Sequence, residues 1–278
     1  MSLKDLCLGN ARRTTVALAG LALLVSAGWV LLHMAVFASS ERALNRPTVL
    51  NSALRKLPLH FESNRGQTDS RVKYLARGAG YGIFLTETEA VLKLDGGKTE
   101  APNVLRMQLL GSDPAARITG SDMLPGKSNY LIGKNAKNWH TGIDQFSRVG
   151  YDSVYPGIDL IYYGNEGRLE YDFRVAPGAD PKQIGIRFNG ARAIHVNERV
   201  VELETSSGSV RLEAPRVYQV NGNREQPVLG HFVRRSENEI GFSVPDYDRT
   251  RTLVIDPVLS YSTFLGGSGD EFGTKIAI

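Results

Sequence analysis

Short segments of alternating apolar and polar residues recur along most of this chain, with turn residues between them. Successive side chains of a strand point to opposite faces, so the alternation in residues 169–175 predicts a half-buried strand. Residues 201–204 and 210–213 alternate in the same way around a Ser/Gly turn, which predicts a hairpin. The pattern therefore predicts an all-β chain with an antiparallel, sandwich-like fold. Further strands are predicted at 72–77, 81–86, 90–94, 104–110, 158–163, 185–188, 216–220, 228–234, 240–244 and 253–255.

Turn-forming residues support this fold class. The sequence has 29 Gly and 12 Pro, and pairs such as Asn189-Gly190 and Asn221-Gly222 supply the positive φ that tight turns need. We find no amphipathic helix of ten or more residues after position 56. The part beyond that position is long enough for one large β domain or two small ones.

The N-terminal segment predicts export. Residues 16–38 carry no formally charged side chain, and Lys4, Arg12 and Arg13 precede them. Such a run can cross a bilayer as a hydrophobic helix, with the basic end on the cytoplasmic side. It is either a signal peptide cleaved after Ala38 or an uncleaved membrane anchor, and the sequence leaves both open. We expect a secreted or outer-surface protein that contacts membrane only through residues 16–38.

Cysteine content and charge limit how the exported part can be stabilised and which partners it can bind. Cys7 is the only cysteine and precedes the apolar run, so the exported part holds together without disulfides. The net charge is only +4, and the basic doublets after residue 38 are Arg55-Lys56 and Arg234-Arg235. Nucleic-acid binding needs a clustered basic surface. We therefore expect no nucleic-acid partner.

Three glycine-containing segments resemble nucleotide or calcium motifs but have the wrong spacing. Residues 78–82 read Gly-Ala-Gly-Tyr-Gly and are followed by a strand rather than a phosphate-binding helix, so they predict a β-turn. Residues 126–128 read Gly-Lys-Ser, with five residues instead of four after Gly120 and with Pro125 before them. Residues 266–270 read Gly-Gly-Ser-Gly-Asp, a single copy of a pattern that binds calcium in stacked repeats. We expect no cofactor at any of them.

Glu170 and Asp172 are the one pair of carboxylates that we consider as a candidate catalytic pair. They share one face of a predicted strand, and two such groups can serve as acid and base in a glycoside hydrolase. Arg174 continues the same face, which favours an ordinary solvated surface. The sequence therefore assigns no catalytic, cofactor-binding or metal-ligating residue. Isolated histidines and a cluster of tyrosines are expected to be structural: His60, His140, His195 and His231, and Tyr151, Tyr155, Tyr162, Tyr163 and Tyr171.

Three segments resemble a known bacterial family. They read Phe61-Glu-Ser-Asn-Arg-Gly-Gln67 with residues 74–86, then Val154-Tyr-Pro-Gly-Ile-Asp-Leu-Ile-Tyr-Tyr-Gly164 with residues 169–181, and finally residues 253–269. The chain is similar to the DUF7948-like N-terminal β domain that precedes SBBP (seven-bladed β-propeller) repeats. The resemblance implies an exported or surface protein and brings no catalytic residues.

The resemblance also divides the chain. We expect a signal peptide or anchor at 1–38, a linker at 39–56, a β-rich domain at 57–257 and an incomplete first propeller repeat at 258–278. A blade takes roughly 40–50 residues, so we expect a fragment truncated in its first repeat.

The expected function is that of a non-enzymatic β module that binds a protein or carbohydrate at the cell surface, or that serves a structural role. A polysaccharide hydrolase and a membrane-tethered scaffold protein are the alternatives.

Overall fold

Strands make up nearly all of the regular structure. The computed structural model describes residues 59–78, 80–94, 103–165, 168–206, 208–222 and 224–262. In these ranges there is no α-helix, and the only helical turns are the 3-10 turns η1 (Ala136–Asn138) and η2 (Pro181–Gln183). The strands are β1 (Phe61–Ser63), β2 (Tyr74–Gly78), β3 (Tyr81–Leu85), β4 (Glu89–Leu94), β5 (Asn103–Leu109), β6 (Arg117–Tyr130), β7 (His140–Tyr155), β8 (Ile158–Asn165), β9 (Arg168–Val175), β10 (Gly185–Asn189), β11 (Ala193–Val196), β12 (Val201–Thr205), β13 (Gly208–Leu212), β14 (Arg216–Asn221), β15 (Arg224–Pro227), β16 (His231–Ser236), β17 (Glu239–Ser243), β18 (Leu253–Asp256) and β19 (Leu259–Ser262).

Within the described residues, fifteen strands form one antiparallel sheet. Its order is β15-β14-β18-β9-β8-β7-β1-β2-β3-β4-β5-β10-β17-β16, and β6 pairs with β7 outside this path. Strand β18 lies between β9 and β14, which are separated from it by long stretches of chain. A second sheet has the order β11-β12-β13-β19.

The long hairpin of β6 and β7 connects two parts of the large sheet. Near its C-terminal end β7 pairs with β8, and near its middle Phe146 pairs with Phe61 of β1. The other edge of β7 pairs with β6 along most of its length, from Asp152 to His140. Two register shifts interrupt this pairing on β6, between Met123 and Lys127 and again after Ser128.

The core lies between the inward faces of these strands. Both sheets contribute to a single cluster of buried side chains, which includes Leu92 of β4, Tyr162 of β8, Leu203 of β12 and Phe242 of β17. A smaller cluster around Leu75 and neighbouring residues covers the opposite face of β2–β4. Burial of this apolar surface is the main source of stability in a chain whose described part contains no cysteine.

The expectation of an all-β antiparallel chain is confirmed. The 201–213 hairpin forms as β12 and β13, and Gly157, Gly190 and Gly222 adopt positive φ in turns. Six strands have no counterpart among the predicted segments: β1, β6, β7, β11, β15 and β19.

The C-terminal segment assigned to a propeller repeat is only partly described. Residues 259–262 form β19, which pairs with β13, and Leu259 is buried in the main core. Residues 263–278 lie outside the described ranges, as do the hydrophobic segment 16–38 and the linker 39–56. In the described part of the chain, no helix is long and apolar enough to cross a membrane.

Candidate functional site

The tip of the β6–β7 hairpin, residues 131–139, presents large apolar side chains to solvent. Leu131 and Ile132 are 59% and 54% exposed, and Trp139 is 40% exposed. Every residue of the tip is exposed. Grouped apolar side chains on a surface are typical of contact sites, because their hydration costs free energy that a partner removes.

Hydrogen bonds order the tip from within. The indole Nε1 of Trp139 donates to the carbonyl oxygen of Gly133 at 3.1 Å. The side chain of Asn135 accepts a hydrogen bond from the backbone nitrogen of Lys137 and so caps η1. The apolar side chains are therefore presented by a folded loop.

A buried carboxylate on β1 holds the base of the tip. Ser128 Oγ donates to Glu62 at 2.8 Å, and the hydroxyl of Tyr130 also donates to Glu62. Arg77 lies 3.4 Å from the same carboxylate and 5.0 Å from the centre of the Tyr130 ring. Glu62 is only 5% exposed, so these partners replace the water that it loses.

The burial of Glu62 and its hydrogen-bond partners have opposite effects on its pKa. Burial by itself raises the pKa, but hydrogen bonds from His60, Tyr130 and Ser128 and the charge of Arg77 outweigh it and lower the pKa. The carboxylate is therefore ionised at neutral pH and accepts hydrogen bonds from both hydroxyls of β6.

The loop between β1 and β2 supports the hairpin from the other side. Asn64 Nδ2 donates to the carbonyl oxygens of Asp69 and Val72, which closes the loop on itself. Gly66 has a φ of +102°, and a Cβ there would lie 3.0 Å from a ring carbon of His140. Glycine is thus required both by the backbone conformation and by the close approach of the hairpin.

A second cluster of carboxylates lies on β9 and β18. The ladder between these strands runs from Leu253 and Val175 to a bridge between Val258 and Glu170, so Asp256 falls opposite Asp172. The hydroxyl of Tyr163 donates to Asp172 at 2.9 Å and lies 3.5 Å from Asp256.

These carboxylates are less solvated than the sequence predicts. Glu170 and Asp172 are 6% and 9% exposed, so the expectation of an ordinary solvated strand face is wrong for both. Asn165 Nδ2 donates to Glu170 at 3.1 Å. The strand is buried on both faces because Tyr163 and neighbouring side chains cover the polar face.

Burial and mutual repulsion raise the pKa values of the two aspartates. For Asp256, burial is the largest cause, followed by the charges of Asp172 and Glu170, and the pKa rises to about 6. Burial likewise raises the pKa of Asp172, and the hydrogen bond from Tyr163 opposes it in part. Perturbed carboxylates of this kind occur at catalytic sites and in structural clusters alike.

The comparison with known families covers most of this architecture. A profile described as a domain of unknown function, DUF7948, matches residues 61–258. The chain belongs to the DUF7948 family. The match begins at β1, which carries Glu62, and ends at the bridge between Val258 and Glu170. No curated protein and no solved structure gives a significant match to the chain.

Two of the glycine motifs have structural roles in this DUF7948 domain. Gly78 and Tyr81 pair where β2 meets β3 in a hairpin, and Gly82 continues β3. The Gly-Lys-Ser segment at 126–128 lies in β6, where Lys127 pairs with Asp144 and Ser128 donates to Glu62. The segment 266–270 lies outside the described residues.

The histidines of the DUF7948 domain do not converge. His195 contacts Glu204 at 3.0 Å on the second sheet. His231 lies on β16 of the large sheet, where it pairs with Ser243 of β17. His60 lies 3.7 Å from Glu62. Among the described residues, no group of three or more metal-ligating side chains could hold a metal ion.

Four of the five clustered tyrosines belong to the core. Tyr151, Tyr155, Tyr162 and Tyr171 are at most 2% exposed, and Tyr163 alone faces the carboxylates. The sequence did not single out Glu62, Trp139 or Asp256 as site residues. Trp139 carried a usable signal, because it stands in a polar segment that has no alternating pattern.

Proposed function

We propose that the chain is an exported or cell-surface, non-enzymatic β module that precedes a β-propeller of the SBBP type and acts by binding. The observation that carries the binding role is the ordered tip of the β6–β7 hairpin. Its exposed Leu131, Ile132 and Trp139 resemble the apolar anchors of interfaces. The exported location rests on the apolar segment 16–38.

The rigidity of the tip supports a binding role. A contact surface that is ordered before binding loses less conformational entropy when a partner docks. Glu62 anchors the base of the tip from β1, and the Trp139–Gly133 hydrogen bond orders its end. A merely exposed loop would have no physical need for a buried, ionised anchor.

Site-specific photocrosslinking tests the binding role. A photoreactive phenylalanine analogue replaces Ile132 in one chain and Leu229 in a matched control; Leu229 is 74% exposed and lies outside the tip. On intact cells, we expect a crosslinked product at position 132 that is weak or missing at position 229. Equal crosslinking at both positions contradicts binding through the tip.

A polysaccharide hydrolase is the second candidate. The observation in its favour is the pair of aspartates with raised pKa values, Asp172 and Asp256, next to Glu170. Replacement with Gln and Asn preserves shape in this buried cluster. If the chain releases reducing sugar from any polysaccharide and E170Q/D172N abolishes that release, the chain is a hydrolase and the proposal of a non-enzymatic binding module is wrong.

A membrane-tethered scaffold is distinguished by the N-terminus. Retention of residues 1–38 in the exported protein, read by N-terminal sequencing, favours the tether. A new N-terminus after Ala38 excludes it.

A further inference from the structure

The side chains of the hairpin tip combine two kinds of chemistry. Leu131, Ile132 and Trp139 are apolar and exposed, and they occur in one loop of nine residues. Tryptophan with adjacent aliphatic residues is typical of segments at a membrane interface, where the ring sits at the level of the lipid headgroups.

The charge of the tip has one sign. Lys134 and Lys137 are both exposed, and no Asp or Glu occurs between positions 131 and 139. The nearby carboxylate of Asp144 already contacts Lys127 and lies 3.6 Å from Arg65. The tip therefore presents positive charge to whatever it contacts.

Apolar and cationic groups on the same exposed loop fit an anionic lipid surface. We propose that, in addition to the membrane contact expected of residues 16–38, residues 131–139 insert at the interface of a membrane that contains anionic lipid, with Trp139 at the headgroup level and both lysines against lipid phosphates. This assignment rests on the proposed function, because it names the partner of the same surface. As an uncleaved anchor, the segment 16–38 would hold the chain at a membrane and so raise the local lipid concentration.

The number of lysines in the tip sets the size of the expected effect. A lysine close to an anionic membrane surface strengthens binding about fivefold. Replacement of both lysines with glutamine is therefore expected to weaken lipid contact of the tip about 25-fold.

Fluorescence of Trp139 in the full chain tests the proposal. The sequence has two tryptophans, Trp29 and Trp139, so the substitution Trp29→Phe leaves Trp139 as the only one. Vesicles of phosphatidylcholine alone are compared with vesicles that contain phosphatidylglycerol, and lipids brominated in the acyl chain serve as quenchers. Because residues 16–38 can themselves bind vesicles, the readout is the environment of Trp139 and not vesicle association.

With anionic vesicles we expect the Trp139 emission to move to shorter wavelength and to be quenched by brominated lipid. K134Q/K137Q should lose this response, whereas K182Q/R199Q, which removes the same charge at exposed positions outside the tip, should keep it.

Three results overturn the proposal: no response of Trp139 to any vesicle, equal responses to neutral and anionic vesicles, or a dimer that is lost on Trp139→Ser. Light scattering of the same chain measures whether it is a dimer. In such a dimer a second copy of the chain, and not lipid, would cover the tip. If position 132 still crosslinks on cells while vesicles give no response, the binding module stands and only the lipid assignment fails. If neither is observed, both fail.

Discussion

The substitution Asp256→Asn should stabilise the protein at neutral pH but not in acid. Asp256 lies opposite Asp172, and its pKa is raised from an ordinary value of 3.8 to about 6, first by burial and then by the charges of Asp172 and Glu170. A group with a raised pKa in the folded state favours folding while it is protonated, and this contribution is lost as pH rises from about 4 to about 6. Asparagine keeps the shape of the side chain and cannot ionise.

The magnitude follows from the pKa difference. A change from 3.8 to about 6 corresponds to about 3 kcal/mol for a fully buried group. Asp256 is only partly buried, so solvent screening reduces the expected effect to about 1 kcal/mol. We therefore expect the free energy of unfolding of D256N to exceed that of the unmodified chain by about 1 kcal/mol at pH 8.

Urea unfolding followed by circular dichroism, from pH 4 to pH 8, measures this difference. At pH 4 the two chains should differ little, because Asp256 is protonated there in the folded state. The exposed Asp246→Asn is the matched control and should leave the pH profile unchanged. A D256N chain that is no more stable than the unmodified one at pH 8 refutes the penalty that burial and the neighbouring carboxylates impose on ionised Asp256.

Three further substitutions test other parts of the structure. Glu62→Gln should lower the free energy of unfolding by about 2 kcal/mol at pH 7, because the hydroxyls of β6 lose a charged acceptor. The pKa of Glu62 is lowered in the folded protein, so this loss should shrink as the pH falls below about 4.5. Urea unfolding at pH 3.5 and at pH 7 measures the difference. Gly190→Ala should destabilise by more than about 2 kcal/mol, because φ is +95° and a Cβ would lie 2.0 Å from the carbonyl oxygen of Val104; an equal loss for Gly178→Ala, which has positive φ but open space, would show that the close approach is not the cause. Leu259→Ala should cost about 2–5 kcal/mol if β19 belongs to this core, and a thermal midpoint unchanged from the unmodified chain would contradict that packing.

The sequence predicted those strands whose side chains alternate between core and solvent. Residues 201–213 are an example, because Val201 and Leu203 point to the core while Glu204 points to water. The outer half of the β6–β7 hairpin escaped prediction because few of its side chains are buried, so it has no apolar period. Its strand pairing is set by backbone hydrogen bonds and by contacts with β1.

The candidate sites depend on long-range pairing that spacing cannot show. Glu62 meets Tyr130 across 68 positions, and Tyr163 lies 3.5 Å from Asp256 across 93. The sequence did bring Glu170 and Asp172 together, because both stand on one strand at a separation of two. It gave no indication of their burial, since the covering side chains come from other strands.

The position of β18 between β9 and β14 has a consequence for the order of folding. Until residues 253–256 are available, β9 has no partner on that edge and β14 has no link to the large sheet. An unpaired apolar strand edge pairs readily with other chains, and non-local pairings of this kind form slowly. During synthesis, β14, β15 and one edge of β9 therefore wait for one short strand near the end of the domain. We infer that the interval before its arrival is when the chain is most exposed to aggregation and most dependent on chaperones.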